Sequence, residues 1–398
     1  MYICGIVCEY NPFHLGHRYQ IECVKRALGD GETGIVCVMS GDFVQRGEAA
    51  SFTKFDRARA AVAGGADLVL ELPLPWSLSS AEGFARGAVG ALGALGTVTH
   101  LAFGSESGKL DMLERAAQTL ALPEFDEHLR AALRSGVSYA AARQTALARL
   151  GGEEAFDAVG APNDILAVEY LKVLHTLPAK MQPLVVERRG AAHDSDAPCA
   201  MPSASFLRAR LEAGEDIGAY MPEQAFAALQ SGEGPISRTK METALLSRLR
   251  FLPPEAVAAL PDAGEGLHNR LCRAAHTEPT LREIIAAAAT KRYPNARIRR
   301  MLMCAALGIR AGDNAGIPPY LRVLAANAAG LKILRDAQPH AALPIVTKPA
   351  KLRETGGEAL RIFELGAAAS DLCGLCLEDT DAVRGDRDWR RSPAVISD

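Results

Sequence analysis

Gly5-Ile6-Val7-Cys8-Glu9-Tyr10-Asn11-Pro12-Phe13-His14-Leu15-Gly16-His17 reads as a short apolar strand, a loop, and a helix that opens on two histidines around Leu-Gly. Ile3, Ile6 and Val7 suit a buried parallel strand, and Asn11-Pro12 breaks it. From His17 onward Tyr19, Ile21, Cys23, Val24, Ala27 and Leu28 recur at helical spacing. A helix that starts at the carboxyl end of a strand offers free backbone N–H groups and the positive end of its dipole, a ready anion site. Two imidazoles there, with Gly16 allowing close backbone approach, point to a polyphosphate. The plainer reading is a helix cap and a surface histidine.

The pattern repeats downstream. Gly34 to Met39 is a second continuous apolar strand ending at Ser40-Gly41, and the loop from Asp42 to Glu48 carries Gln45 and Arg46 off its end. Lys54 to Val62 is expected to be a helix with a basic, polar face. Leu68 to Leu72 is a third strand, Ser79 to Leu95 a helix, Val98 to Phe103 a fourth strand and Met181 to Glu187 a fifth. Strands alternating with helices make a doubly wound α/β fold with a parallel sheet, whose ligands sit at the carboxyl ends of the strands. Pro222 and the Gly232-Glu-Gly-Pro235 turn mark a boundary. We therefore expect an α/β domain carrying the polyphosphate site over 1–220 and a mainly helical C-terminal domain over 221–398, with a frayed tail over 384–398.

Bulk properties set limits. The chain has 398 residues, 48% hydrophobic and 23% charged, with a net charge of −3, the profile of a globular protein that does not advertise nucleic-acid binding through charge alone. It shows no signal-peptide pattern and no apolar run long enough for a membrane, so the cytoplasm is the expected compartment. Cys373 and Cys376 have CxxC spacing, but no second pair or histidine follows at zinc-site spacing, and no metal site is expected.

His14-Leu15-Gly16-His17 resembles the HxGH signature of the nucleotidylyltransferase superfamily. The longer string Glu9-Tyr10-Asn11-Pro12-Phe13-His14-x-Gly16-His17, followed by Met39-Ser40-Gly41-Asp42-Phe43-Val44-Gln45-Arg46-Gly47-Glu48, resembles one family within it, the tRNA(Met) cytidine acetate ligases. That resemblance implies a nucleotidylyltransferase-like domain that activates acetate with ATP as acetyl-adenylate. The acetyl group then passes to the exocyclic amine of the wobble cytidine of elongator tRNA(Met), releasing AMP. By matching position it implies catalytic His14 and His17 and an ATP site formed by Val7, Cys8, Glu9, Tyr10, Asn11, Pro12, Phe13, His14, Leu15, Gly16, His17, Arg18, Tyr19 and Gln20. Gly104, Asn163, Arg188 and Arg189 complete that site, and Mg²⁺ is expected to accompany ATP. Read from position alone, Asn163 or Asp164 is an ordinary helix N-cap.

Ser203-Ala-Ser205-Phe-Leu-Arg208 enters a helix in the manner of the superfamily's ISxTxxR element, with Ser205 in place of threonine. Ser203, Ser205 and Arg208, with Lys54, are candidates for the β- and γ-phosphates. The segment Lys291-Arg292-Tyr293-Pro-Asn-Ala-Arg297-Ile-Arg299-Arg300 holds five positive charges and no acid. It suits RNA phosphates, with Tyr293 to stack a base, or else a solvated helix face. It and Glu265-Gly-Leu-His-Asn-Arg270 resemble strings in the C-terminal part of the acetate ligases. Two other functions fit the HxGH pattern: adenylyl transfer to a phosphorylated cofactor precursor, and non-catalytic RNA binding on the same scaffold.

Overall fold

The computed structural model describes residues 1–178, 181–188, 201–261, 263–264, 266–290, 293–379 and 383–397. In the first half the chain runs β1 (Tyr2–Cys8), α1 (Leu15–Leu28), β2 (Thr33–Ser40), a hairpin of β3 (Phe43–Val44) and β4 (Glu48–Ala49), α2 (Lys54–Ala63), β5 (Leu68–Leu72), α3 (Leu74–Ser77), α4 (Ala81–Ala94) and β6 (His100–Ser105). Helices α5 (Leu110–Leu120), α6 (Phe125–Leu133), α7 (Tyr139–Asp157) and α8 (Pro162–Thr176) precede β7 (Gln182–Glu187), and α9 (Ala204–Glu212) and α10 (Glu223–Gln230) follow it. The helical region comprises α11 (Arg238–Arg250), α12 (Pro254–Ala258), α13 (Leu267–Thr277), α14 (Leu281–Ala288) and α15 (Asn295–Leu307). The chain ends with β8 (Leu321–Ala326), α16 (Ala328–Ala337), β9 (Ile345–Val346), α17 (Lys351–Thr355), α18 (Gly357–Gly374), α19 (Arg387–Arg390) and β10 (Ala394–Val395).

Five strands, in the order β5-β2-β1-β6-β7, are parallel throughout. Along β2 every residue is buried, and side chains alternate between two cores. Val36 and Val38 join Leu68, Leu70, Phe84 and Leu92 on one face, whereas Ile35, Cys37 and Met39 join Ile21, Val24, Ala58 and Ala61 on the other. A strand buried on both faces is apolar continuously, which is why these segments read as runs. The strand order reverses at β1, flanked by β2 and β6, and such a switch point opens a crevice at the carboxyl ends of the strands.

The C-terminal half departs from expectation. Helices α11 to α15 pack with α18 around a core that also takes in Phe43, Leu74 and Leu78 from the first half of the chain. The chain then returns to the sheet: β8 pairs antiparallel with β5, and β9 and β10 pair parallel with β8. The sheet therefore crosses the expected boundary at 220. β8 does not read as an apolar run in the sequence because the buried Arg322 interrupts it. The expected frayed tail is also corrected: Asp388 is fully buried, β10 is paired, and Trp389 lies edge-on to Phe363 with ring centroids 4.5 Å apart.

Candidate active site

A cleft of about 340 Å³ occupies the switch point. The end of β1 contributes Val7 to Asn11, α1 contributes His14, His17 and Gln20, and β6 contributes Phe103 and Gly104. The start of α8 adds Pro162 and Asn163, Arg188 enters from beyond β7, and Ser203, Ser205 and Arg208 enter from α9. Gln45, Arg46 and Glu48 close it from the β3–β4 hairpin. A smaller cavity of about 50 Å³, sharing His14, His17 and Arg188, is also lined by Gly16 and Tyr19. Within the Val7–Gln20 segment, Pro12, Phe13, Leu15 and Arg18 line neither cavity. Phe13 is buried in the core, and Arg18 bonds Glu22 and the Gly64 carbonyl.

His14 is the N-cap of α1. Its Nδ1 accepts from the Gly16 N–H at 3.0 Å, while its own N–H donates to His17 Nδ1 at 3.2 Å. Both rings therefore use Nδ1 as the acceptor, which puts the proton of each neutral ring on Nε2. Burial, helped by the charge of Arg188, lowers the His14 pKa to about 3. Burial, His14 and Arg188 hold His17 well below the usual histidine range. The pair thus presents two neutral N–H donors, their ring centroids 3.8 Å apart, at a helix N-terminus. Gly16 serves this packing first, since a β-carbon there would lie 2.8 Å from His14 Cε1. Tyr10, at φ 44°, turns the chain out of β1, and its ring meets His17 edge-on at 4.7 Å.

Two supports were not legible in the sequence. Arg57, expected on a polar helix face, is completely buried and donates to the carbonyls of Glu9 (2.5 Å), Ser40 (3.1 Å), Gly41 and Phe52 (3.1 Å). It ties together the loops that leave β1 and β2. On the other side Glu106 and Asp164 clasp β6 to α8. Glu106 accepts from the Asn163 side chain (2.5 Å) and the Asp164 N–H (3.1 Å), and Asp164 accepts from the Ser105 hydroxyl (2.5 Å) and the Glu106 N–H (3.0 Å). Asn163 is thereby fixed at the cleft wall. The N-cap of α8 is Ala161, not Asn163.

Lys54 is placed elsewhere. Its ammonium is fully buried against Asp388 (2.5 Å), Glu71 (2.8 Å) and Asp42 (3.6 Å), and Arg322 shares the Glu71 and Asp388 carboxylates. The helix that carries it has Lys54, Asp56 and Arg57 inside, so the expected polar face does not exist. Ser203 caps α9 and lies 2.8 Å from the Ser205 hydroxyl, and Arg208 reaches the Asn11 carbonyl (3.3 Å) and Glu48 (3.4 Å). Burial pushes the Glu9 carboxyl up, opposed by the Gln45 N–H and by Arg208 and Arg46, while Glu48 adds to the rise.

The basic segment is divided. Tyr293 is buried in the helical core with the Arg297 guanidinium 5.3 Å above its ring, so it offers no face for a base. Arg299 and Arg300 are half-buried on α15 behind the hairpin. Arg189, Lys291, Arg292 and Glu265 lie outside the described residues. Cys373 and Cys376 are free, buried thiols of the helical core, and the described residues contain no group of three or more His, Cys, Asp or Glu able to hold a metal ion. No helix among the described residues is long and apolar enough to cross a membrane.

The family model described as HIGH Nucleotidyl Transferase matches residues 1–388. A tRNA(Met) cytidine acetate ligase of Acetivibrio thermocellus is 34% identical over 95% of this chain and 96% of its own length. One from Syntrophotalea carbinolica is 36% identical over 98% of each. The apo crystal structure of Thermotoga maritima TmcAL superposes with a TM-score of 0.93 at 30% identity over the whole of both chains. A second crystal form of that protein, bound with alpha-thio ATP, gives 0.91. The sheet order, the histidine pair at its switch point and these full-length similarities agree: the chain belongs to the tRNA(Met) cytidine acetate ligase family of HIGH nucleotidyl transferases.

Proposed function

We propose that the switch-point cleft carries out both halves of an ATP-dependent acetylation of elongator tRNA(Met). ATP lies with its nucleoside toward Gly104 and Asn163 and its triphosphate over the N-terminus of α1. The Nε2–H groups of His14 and His17 donate to the phosphates, and Arg188 supplies positive charge beside them. Acetate attacks the α-phosphate and pyrophosphate leaves toward Ser203, Ser205 and Arg208. Such a step needs positioning and charge stabilisation rather than a protein nucleophile. Mg²⁺ would accompany ATP on the triphosphate oxygens, since it keeps several waters and binds through substrate phosphates rather than an all-protein cage.

In the second half the wobble cytidine's amine takes the acetyl group and AMP is released. The base must leave its stack, at a cost of a few kcal/mol. Arg297, Arg299 and Arg300 on α15 are the described members of the basic segment that could meet the RNA backbone. The observation that carries this reading is the histidine pair, whose tautomers and helix-start position suit a polyphosphate. Incubation of tRNA with the protein, ATP and ¹³C-acetate, followed by nucleoside mass analysis, tests it. Acetylcytidine carrying the label, with AMP and pyrophosphate in equal amount, is expected. Unlabelled cytidine throughout refutes it, and pyrophosphate exchange driven by a phosphorylated cofactor precursor in place of acetate establishes the competing adenylyltransferase.

A further inference from the structure

We propose that Glu9 is the general base of the acetyl-transfer half-reaction, taking the proton that the cytidine amine loses. The inference rests on the acetate-ligase reading above. The two halves make different demands. In the first, an acetate oxygen bonds to the α-phosphorus and the bond to pyrophosphate breaks; the nucleophile is already an anion, and no proton moves. In the second, the amine nitrogen bonds to the acetyl carbon, the acyl carbon–oxygen bond breaks with its electron pair leaving on AMP, and one N–H proton must go to a base. One chamber with one proton to remove needs one acceptor with an open lone pair.

The cleft offers few. Both histidines have their Nδ1 lone pair occupied by a backbone N–H, and burial depresses their basicity. The Cys8 thiol and the Tyr170 hydroxyl are pushed up by burial and stay protonated. Glu48 is engaged by Arg208 and Arg238. Glu9 differs. One of its oxygens accepts from the Gln45 N–H at 2.8 Å, which orients the carboxylate from the hairpin. Among the described residues no second hydrogen bond and no salt bridge engages this carboxylate, which lines the cleft. Its backbone is pinned by Arg57. The carboxyl is raised by burial and by Glu48, with Arg46 and Arg208 opposing, and Arg57 and Tyr170 are its other ionisable neighbours. A carboxylate raised toward working pH is a better proton acceptor than an ordinary one.

The test compares Glu9→Gln and Glu9→Asp with the wild-type protein in two assays: acetate-dependent ATP–pyrophosphate exchange for the first half, and acetylcytidine formation on tRNA(Met) for the whole. Glutamine keeps the acceptor for Gln45 and the side-chain volume but cannot take a proton. Transfer should fall by about a hundredfold or more beyond any loss in exchange, in line with the usual contribution of a general base. Wild-type transfer should rise with pH through a single limb above the usual carboxylate range, Glu9→Asp should keep that limb at reduced rate, and Glu9→Gln should lose it. Equal losses in both assays would make Glu9 only an ATP-site residue. Undiminished transfer would assign the proton to the leaving phosphate or to water. Either result overturns the proposal. Failure of the wild-type protein in both assays instead overturns the acetate-ligase reading beneath it.

Discussion

Gly47, at the tip of the hairpin that closes the cleft, sits directly on the backbone of Arg300. A β-carbon at Gly47 would lie 2.5 Å from the Arg300 nitrogen and 2.6 Å from the Arg299 carbonyl carbon, and its φ of +78° also favours glycine. One residue to either side, Arg46 and Glu48 line the cleft. The helix carrying the basic segment is thus seated against the loop that bounds the chemistry. Gly47→Ala should cost about 2–4 kcal/mol of stability, from the left-handed backbone and the backbone overlap together. Urea unfolding measures this. A cost below about 0.5 kcal/mol, within the usual range of surface changes, would mean that the hairpin and α15 separate freely.

The buried imidazoles set a pH dependence. His14 titrates at about 3 in the fold against an ordinary 6.5, so between those values the unfolded chain binds a proton that the folded chain does not. Stability therefore rises with pH through this window and is lost on acidification. From pH 7 to pH 5 the loss attributable to His14 is about 2 kcal/mol. His14→Asn keeps a good N-cap and removes the titration. Its unfolding free energy should fall by about 2 kcal/mol less than that of the wild-type protein over the same interval. An identical fall in both would show that His14 is protonated in the folded state.

Lys54 and Arg322 share the carboxylates of Glu71 and Asp388, all of them buried. Their attraction holds Asp388 well below the usual carboxylate range despite its burial. Removing one member strands the others without water, which costs about 3–5 kcal/mol. Asp388→Ala should lower stability by that amount while the folded fraction binds ATP as the wild-type protein does, since Asp388 lines no part of the cleft. A large loss of ATP affinity in a protein of unchanged stability would return this network to the site.

The distribution of these residues explains what the sequence could reveal. The parallel strands announce themselves because burial on both faces leaves uninterrupted apolar runs, and the histidines because two imidazoles around a glycine at a helix start are chemically conspicuous. Arg57, Lys54 and Asp388 could not be read so easily. A charge in a sequence looks solvent-exposed unless its partner is known, and these partners lie as far as 334 positions away. Tyr293 shows the converse: an aromatic ring among arginines suits a base stack or a solvated face in the sequence, but the neighbouring helices cover it. Glu106 follows the end of β6, and nothing in its local sequence links it to Asn163, 57 positions away.

That link gives the last prediction. Glu106 accepts from both the side chain of Asn163 and the backbone at the start of α8, so its carboxylate fixes the amide at the cleft wall and also sits at the positive end of a helix. Glu106→Ala leaves those donors without their partner and frees the Asn163 side chain to rotate. Loss of a charge-assisted hydrogen bond is worth about 1.5–3 kcal/mol, so ATP affinity should weaken by about ten- to a hundredfold if Asn163 holds the nucleoside. Pyrophosphate, which would meet only the phosphate-facing residues, should bind within threefold of the wild-type protein. Calorimetric titration with each ligand separates the cases. Equal weakening of both would show that Glu106 supports the whole cleft, and unchanged ATP binding would place the nucleoside away from Asn163.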